Sequence, residues 1–556
     1  MKNRMRHMSF LFLLLFFVLV ARLIQIQLLQ PESFSNRNIN LIEESVNQRV
    51  KSYILDEGRG TFVDRNGQPL LEKTDELVIF PNLSDLALPV DKLAEWTGIS
   101  QEQLRIKLST AKRPLSFPID EKEVDIESIN QWNIPGVYLT TKTNDKQPFA
   151  HHIIGFTGQN LSELKRRYPD LLEKGIVKET TKIGLTGLEE AFDPFLISDG
   201  EAKLHFHVDN IGKPLLGLDV KYVAPANPFY PLQVKTTIDK EIQIETERAI
   251  DAAGITNGGA VLLDVETNDT LALVSRPTFD HDDPFERGAT NEMISSHVPG
   301  SVFKVVTAAA VIDQGKASEG RTFNCNLNLY GDSEANRQLG ELSFADSFIQ
   351  SCNRTFGELA NELMKEHPTF FEDYAERLSL ADLSGWSGDV YHFENFTQFP
   401  KEEPNRIWSS DYRGELDVRL TPLSVANMMA TIARGGEQRK VRLVSELLYK
   451  QGSSVITFPQ KRLVNEELDE DVTAALQDLL RKVVTDPQGT GFSRALDQLP
   501  YTVAGKSGTA ETDGQHQLNQ WFGGYFPFQN PQYALVVVDL NHSSGETGPM
   551  KRSNRL

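Results

Sequence analysis

At 556 residues, with 24% charged and 40% hydrophobic side chains, the chain is too long for one hydrophobic core and too apolar for disorder, so several domains are expected. A formal net charge of -20, with no long basic stripe to neutralise phosphates, argues against a nucleic-acid partner. The two cysteines, Cys325 and Cys352, read most simply as free thiols; a bridge is open to them outside the cytoplasm, but a large core needs no such staple.

In chain order, Lys2, Arg4 and Arg6 precede an unbroken apolar run from Phe10 to Ala21, and apolar character resumes after Arg22 as far as Leu29. The run before Arg22 is short enough for a cleavable signal, but no small-x-small cleavage site follows it. The continuation reaches roughly 20 residues, enough to span a bilayer. The basic flank places the N-terminus in the cytoplasm. The expected start is a cytoplasmic tail at 1–7, one uncleaved transmembrane anchor at 8–29, and a polar helical stalk at 30–50, with the rest of the chain outside.

"GRGTFVDRNGQPLLEK" then opens a β-rich region, with Asn66-Gly67 as a turn between strands at 61–63 and 70–71. Residues 75 to 215 mix short strands, helices and loops, and "IGLTGLEEAFDPFL" starts a helix with paired glutamates. "VKTTIDKEIQIETERAIDAA" begins as a strand and turns helical at Asp239, a good N-cap. From Gly258, "GGAVLLDVETNDTLALVSRPTF" reads as a hairpin turning at 266–269. Helices and loops continue to about 495, and three strand-like runs follow: "YTVAGKSGTAE", "QWFGGYF" and "YALVVVDL". Strands, then helices, then strands is the pattern of an α+β domain with a helical insertion. Little sequence follows the last strand, so no appended C-terminal binding module is expected.

Three short stretches carry candidate chemistry. In "HVPGSVFKVVTAAAVID", Ser301 and Lys304 are three apart on a helix that is apolar on every side, hence buried. Burial disfavours an ammonium, and a neutral amine beside a hydroxyl can take its proton and make it a nucleophile. The plainer reading is a lysine paired with a carboxylate and a serine that merely caps; Ser162 and Lys165 show the same spacing in charged surroundings. In "SFIQSCNRTFGELANEL", Ser351 and Asn353 lie in a loop between two helices, where a hydroxyl and an amide can point into one cleft. In "VAGKSGTAE", strand alternation puts Lys506 and Gly508 on one side and Ser507 and Thr509 on the other. Gly508 would let a ligand backbone approach closely. The plainer reading there is an edge strand with a solvated lysine.

In that order, Ser301-x-x-Lys304, Ser351-x-Asn353 and Lys506-Ser507-Gly508 resemble the active-site triplet of penicillin-binding proteins and serine β-lactamases. "LTPLSVANMMATIARGG" and "QWFGGYFPFQNPQYALVVVD" resemble the transpeptidase domain. "RGTFVDRNG", "HIIGFTG" and "GLTGLEEAFDPFL" resemble the N-terminal domain of class B penicillin-binding proteins. Ser507 stands where the family more often has threonine, which keeps the hydroxyl.

The resemblance implies a β-rich pedestal or dimerisation domain at 51–215, a linker with the start of the next domain at 216–255, and a transpeptidase domain at 256–545. That domain would hold an antiparallel sheet with helices and an all-helical subdomain, followed by a tail at 546–556. It implies a peptidoglycan D,D-transpeptidase without cofactor. Ser301 would be the nucleophile, Lys304 its base, Ser351 and Lys506 proton carriers, and Asn353, Ser507, Gly508 and Thr509 the substrate-binding residues. Its partners would be D-alanyl-D-alanine stem peptides, β-lactam antibiotics, the membrane, a separate glycan polymerase and other cell-wall assembly proteins. A D,D-carboxypeptidase or endopeptidase would use the same residues with water as acceptor, and a β-lactam sensor or scaffold would be acylated without turnover.

Other motifs are bland. His205 and His207 share a strand face and His151-His152 are adjacent, but no third zinc ligand stands at a suggestive spacing. H-E-x-x-H and G-x-S-x-G are missing. "FEDYAE" matches only the start of a glycosyltransferase signature, consistent with a monofunctional enzyme.

Overall fold

The computed structural model describes the chain apart from residues 1, 30–39, 41–48, 72, 81–88, 112–113, 120–133, 135, 144–148, 198–199, 209–214, 216–220, 224–226, 228, 281–282, 286–287, 319, 408–417, 493–495, 512–516 and 544–556. Most of the expected stalk at 30–50 and the tail at 546–556 lie outside the described residues. The N-terminal helix Lys2–Ile24 continues as a π-helical turn, Gln25–Leu29. Its segment Arg4–Leu29 is 26 residues and contains an 18-residue stretch with a mean hydropathy of 2.5, long and apolar enough to cross a bilayer.

Two compact units interleave along the chain, where the sequence reading divides it contiguously into 51–215 and 256–545. One unit takes residues 1–58, 72–144 and 198–227; the other takes 59–71, 145–197 and 228–556. The physical reason lies in pairing that sequence proximity does not reveal. The strand Thr61–Val63 runs parallel to Gln233–Thr236 and hydrogen-bonds to it.

The first unit contains two three-stranded sheets. Val50–Asp56, Ala202–His207 and Lys221–Val223 form one, and Leu115–Pro118, Lys73–Ile79 and Val137–Thr143 form the other. Period-two alternation buries Ala202, Leu204 and Phe206 and turns His205 and His207 the other way. Phe206 meets Phe80 edge-on at 4.5 Å within a core that includes Leu77, Trp96, Leu104 and Phe117.

In the second unit, the stretches "GRGTFVDRNG" and "GLTGLEEAFDPFL" meet in a buried ion network. Arg59 Nε donates to Glu189 Oε2 at 2.6 Å and its Nη2 to Asp193 Oδ1 at 2.7 Å. The Tyr168 hydroxyl and the Gly184 amide also donate to Asp193. Despite its burial, the two carboxylates hold the Arg59 guanidinium well above its ordinary pKa. Asp64 organises the expected turn, accepting from the Asn66 and Gln68 amides at 2.8 and 2.7 Å.

A five-stranded antiparallel sheet forms the centre of this unit. Its order is Thr270–Arg276, Gly258–Asp264, Tyr533–Ser543, Gln517–Phe526, Ala504–Glu511, so the last run of the sheet, Ala504–Glu511, is an edge. The hairpin strands are buried almost throughout, because the sheet is covered on both faces. The helix Lys240–Ala252, N-capped by Asp239, places Ile250 against Ala260, Val274 and Val537. The helix Pro422–Ala433, buried from Pro422 to Ile432, packs elsewhere on the sheet, where Gly523 leaves room for Val425 and Met429.

The stretch expected to be helical also contains short strands. Thr322–Asn324 pairs with Glu341–Ser343, Ser387–Val390 with Phe393–Thr397, and Val444–Leu448 with both Ser454–Thr457 and Gln233–Thr236. Three to five residues are too few to display a period, so these ribbons leave little trace in the sequence.

Candidate active site

A single 3-10 turn, Gly300–Phe303, runs directly into the α-helix Lys304–Asp313. Residues three apart eclipse in a 3-10 turn, which stacks Ser301 and Lys304 on one side. Everything from Val302 to Val311 is buried, Lys304 included, at 4% exposure. Gly300 has φ +54, and a Cβ there would lie 2.4 Å from the Thr509 carbonyl oxygen. Reciprocally, a Cβ at Gly508 would lie 2.4 Å from the Pro299 carbonyl oxygen. The two glycines let the segment bearing Ser301 seat directly on the edge strand. The expectation that Gly508 makes room for a ligand backbone is therefore corrected: the space beside its Cα is taken by residues 299–302.

Ser351 joins the helices Phe344–Gln350 and Asn353–Glu366 in a left-handed conformation, φ 61. The turn is closed by Cys352 N donating to Ser347 O at 2.8 Å. Cys352 is bridged to Cys325, with Cα atoms 5.9 Å apart, which corrects the free-thiol reading. Folding of the ribbon Thr322–Asn324/Glu341–Ser343 beside this turn buries both cysteines side by side. The bridge thereby fastens the residue between Ser351 and Asn353.

The two lysines converge on this turn. Lys304 Nζ donates to Asn353 Oδ1 at 2.5 Å, to Ser351 O at 3.1 Å and to Ser351 Oγ at 3.3 Å. Lys506, 0% exposed rather than solvated, donates from Nζ to Ser351 Oγ at 3.0 Å and to Ser507 O at 3.0 Å. One hydroxyl oxygen thus stands between two amines that arrive from a helix and from a strand. A hydroxyl offers two acceptor sites and one proton, so it can pass a proton between such groups. Apolar rings flank both amines: Lys304 lies over Phe356 at 5.5 Å and Lys506 over Phe348 at 5.8 Å.

Alternation on the edge strand follows the sequence reading: Lys506 and Gly508 are buried, Ser507 is half-buried and Thr509 is exposed. Ser301, Ser351, Asn353, Ser507, Gly508 and Thr509 all line one cleft of about 850 Å³.

The Penicillin binding protein transpeptidase domain model matches residues 258–553, more than half of the chain. The chain belongs to the penicillin-binding transpeptidases. Among proteins similar to it, "Penicillin-binding protein 3" of Bacillus subtilis (strain 168) is 24% identical over 87% of this chain and 73% of its own. "Peptidoglycan D,D-transpeptidase FtsI" of Escherichia coli (strain K12) is 22% identical over 95% of this chain and 85% of its own. A solved chain described under "Structural coordination of polymerization and crosslinking by a peptidoglycan synthase complex" shares the fold, with a TM-score of 0.63 at 22% identity, covering 100% of this chain and 98% of its own.

Several residues around the cleft of this transpeptidase escaped the sequence reading. Ser507 Oγ donates to Thr490 Oγ1 at 2.9 Å. Thr490 stands between Gly489 and Gly491, and a glycine-flanked threonine before a β-run is the signal that could have drawn attention to it. Gln520 and Trp521 reach the cleft from the neighbouring strand, where Trp521 is in register with Gly508. The loop 325–340 forms another wall, and nothing in its polar composition distinguishes it from an ordinary surface loop. The histidines singled out earlier lie elsewhere: His152 Nε2 donates to Gly288 O at 2.7 Å.

Proposed function

We propose that this transpeptidase cross-links peptidoglycan through an acyl-enzyme on Ser301. The observation that carries the assignment is the convergence of Lys304 and Lys506 on Ser351 Oγ beside a serine that opens into the same cleft. Ser301 Oγ attacks the carbonyl of the penultimate D-alanine of a stem peptide and gives its proton to Lys304. Backbone N–H groups of Ser301 and Thr509 stabilise the oxyanion; removing one such donor typically costs about 10²- to 10³-fold in rate. The C–N bond then breaks, and the departing D-alanine amine takes its proton through Ser351 and Lys506. An amine of a neighbouring stem peptide attacks the Ser301 ester, loses a proton along the same route, and leaves Ser301 protonated again. Asn353 binds a substrate amide, and Ser507 with Thr509 holds the terminal carboxylate on the strand that Gly508 seats against the Ser301 turn. β-Lactams, as mimics of the dipeptide, acylate Ser301.

The wider assignments rest on the family. The unit built from 1–58, 72–144 and 198–227 contains most of the expected pedestal domain and carries the N-terminal helix, which fits a single-pass anchor with its N-terminus in the cytoplasm and the catalytic unit outside. A separate glycan polymerase supplies the strands to be joined, a reading supported by the fold shared with a chain from a peptidoglycan synthase complex.

Labelled penicillin followed by peptide mapping tests the site. Label is expected on Ser301 and lost in Ser301→Ala; label on another serine, or survival of labelling in that variant, would sink the assignment. Product analysis with and without an amine acceptor separates transfer from hydrolysis.

A further inference from the structure

The loop 325–340 overhangs the cleft and is built as a rigid wall. The disulfide and the bond from Cys325 N to Gly340 O at 2.8 Å close its base. Asn326 O accepts from Ala335 N, and Asn328 O accepts from Gly331 N. Leu327 bridges to Glu334 across the loop. Underneath, Gly331 and Gly357 leave room for Arg354 and Leu329, respectively.

This wall brings two charges, Glu334 and Arg337, and among the described residues that line the cleft they are the charged ones. Arg337 Nη2 donates to Gln350 O at 3.0 Å. That carbonyl belongs to the residue before Ser351, so the guanidinium is anchored one residue from the proton-carrying hydroxyl. Its remaining N–H groups form a fork suited to a carboxylate.

We propose that Arg337 and Glu334 form a subsite for a donor stem peptide whose diamino acid ends in both a free amine and a free carboxylate, as in meso-diaminopimelate. The inference rests on the transpeptidase reading above. In the stem, the diamino acid directly precedes the D-alanine whose carbonyl is attacked, a separation of about 3.8 Å along the chain. Ser301, Glu334 and Arg337 line the same cleft, so a side chain next to the reacting carbonyl shares that space with the two charges. Arg337 takes the terminal carboxylate and Glu334 the terminal ammonium. A lysine side chain leaves Arg337 without its partner, and an amidated carboxylate does the same.

The test uses the detergent-solubilised full-length chain and pentapeptide donors that differ only at the diamino acid: meso-diaminopimelate, its amide, or L-lysine. The expected result is a kcat/KM at least about 10-fold higher for the free diaminopimelate donor, the size of one charge-assisted hydrogen bond. Arg337→Gln should level the free and amidated donors, and Glu334→Gln should lower only donors that carry the free amine. Penicillin acylation of Ser301 should be unchanged in both variants. Equal rates for the three donors in the unmodified protein would overturn the proposal, and that comparison needs no variant. An equal loss for all three donors in Arg337→Gln would instead assign the guanidinium to the terminal D-alanine carboxylate. Failure of penicillin to label Ser301 in the unmodified protein would refute the transpeptidase reading itself.

Discussion

At the scale of single residues, Gly300 and Gly508 set the position of Ser301, since each occupies a place where the other segment's backbone leaves no room for a Cβ. Gly508→Ala is expected to push the Ser301 turn away from the edge strand. A displacement of the order of 1 Å can cost about 100-fold in rate, readable as slower penicillin acylation. Thr490→Val, which removes a hydroxyl contact with Ser507, should cost far less in the same assay. Another residue ties stability to pH. Burial, aided by nearby Arg276, pushes the His152 imidazole down to about 4, against the Gly288 carbonyl and Glu292, which favour the charged form. The unfolded chain takes up that proton near pH 6.5 and the folded chain only near 4. The contribution is therefore complete above about pH 6.5 and lost as pH falls toward 4, on the order of 3 kcal/mol. Thermal unfolding at pH 7 and pH 4.5 should show a smaller acid loss in His152→Gln than in the unmodified protein. The residues of the triplet were legible because their order and spacing are written along the chain. What faces Gly508, or why Arg337 differs from any other loop arginine, depends on segments that meet only after folding.

At the scale of elements, two connections hold the catalytic side together. The bridge Cys325–Cys352 closes a loop with a sequence separation of 27, which corresponds to about 3–4 kcal/mol of unfolded-state entropy. Reduction should lower the unfolding temperature and speed amide exchange at 351–353; an unchanged exchange rate there would mean that the helices alone define the turn. Arg59 is the second connection. Removing one partner of a buried ion pair typically costs about 3–5 kcal/mol, so Arg59→Ala should destabilise strongly in chemical denaturation. Arg59→Lys should recover only part, because a point charge cannot span Glu189 and Asp193 as the fork does. Long periodic elements were readable in advance: the Asp239-capped helix, the hairpin at 258–276 and the closing strands. The bridge was not, because composition says how many thiols exist and nothing about which ribbon will bring them together.

At the scale of the whole molecule, the chain passes between its two units five times, at 58–59, 71–72, 144–145, 197–198 and 227–228. Hydrophobic patterning shows where elements begin, but a parallel pairing such as Thr61–Val63 with Gln233–Thr236 joins segments about 170 positions apart and has no local signature. A fragment limited to 228–556 lacks that strand and Arg59, and is expected to express poorly and to bind penicillin weakly. A fragment from residue 50 onward retains both units and should bind penicillin like the full chain. The same interleaving bears on how the protein can be detached from a membrane. A protease cut at any of the five passages leaves the anchor-bearing piece clasped by a sheet or a core, so the halves stay together. Only a cut between the N-terminal helix and the strand Val50–Asp56 frees an intact enzyme. Shedding of active protein from cells, if it occurs, should therefore yield one soluble species whose new N-terminus maps to residues 30–49.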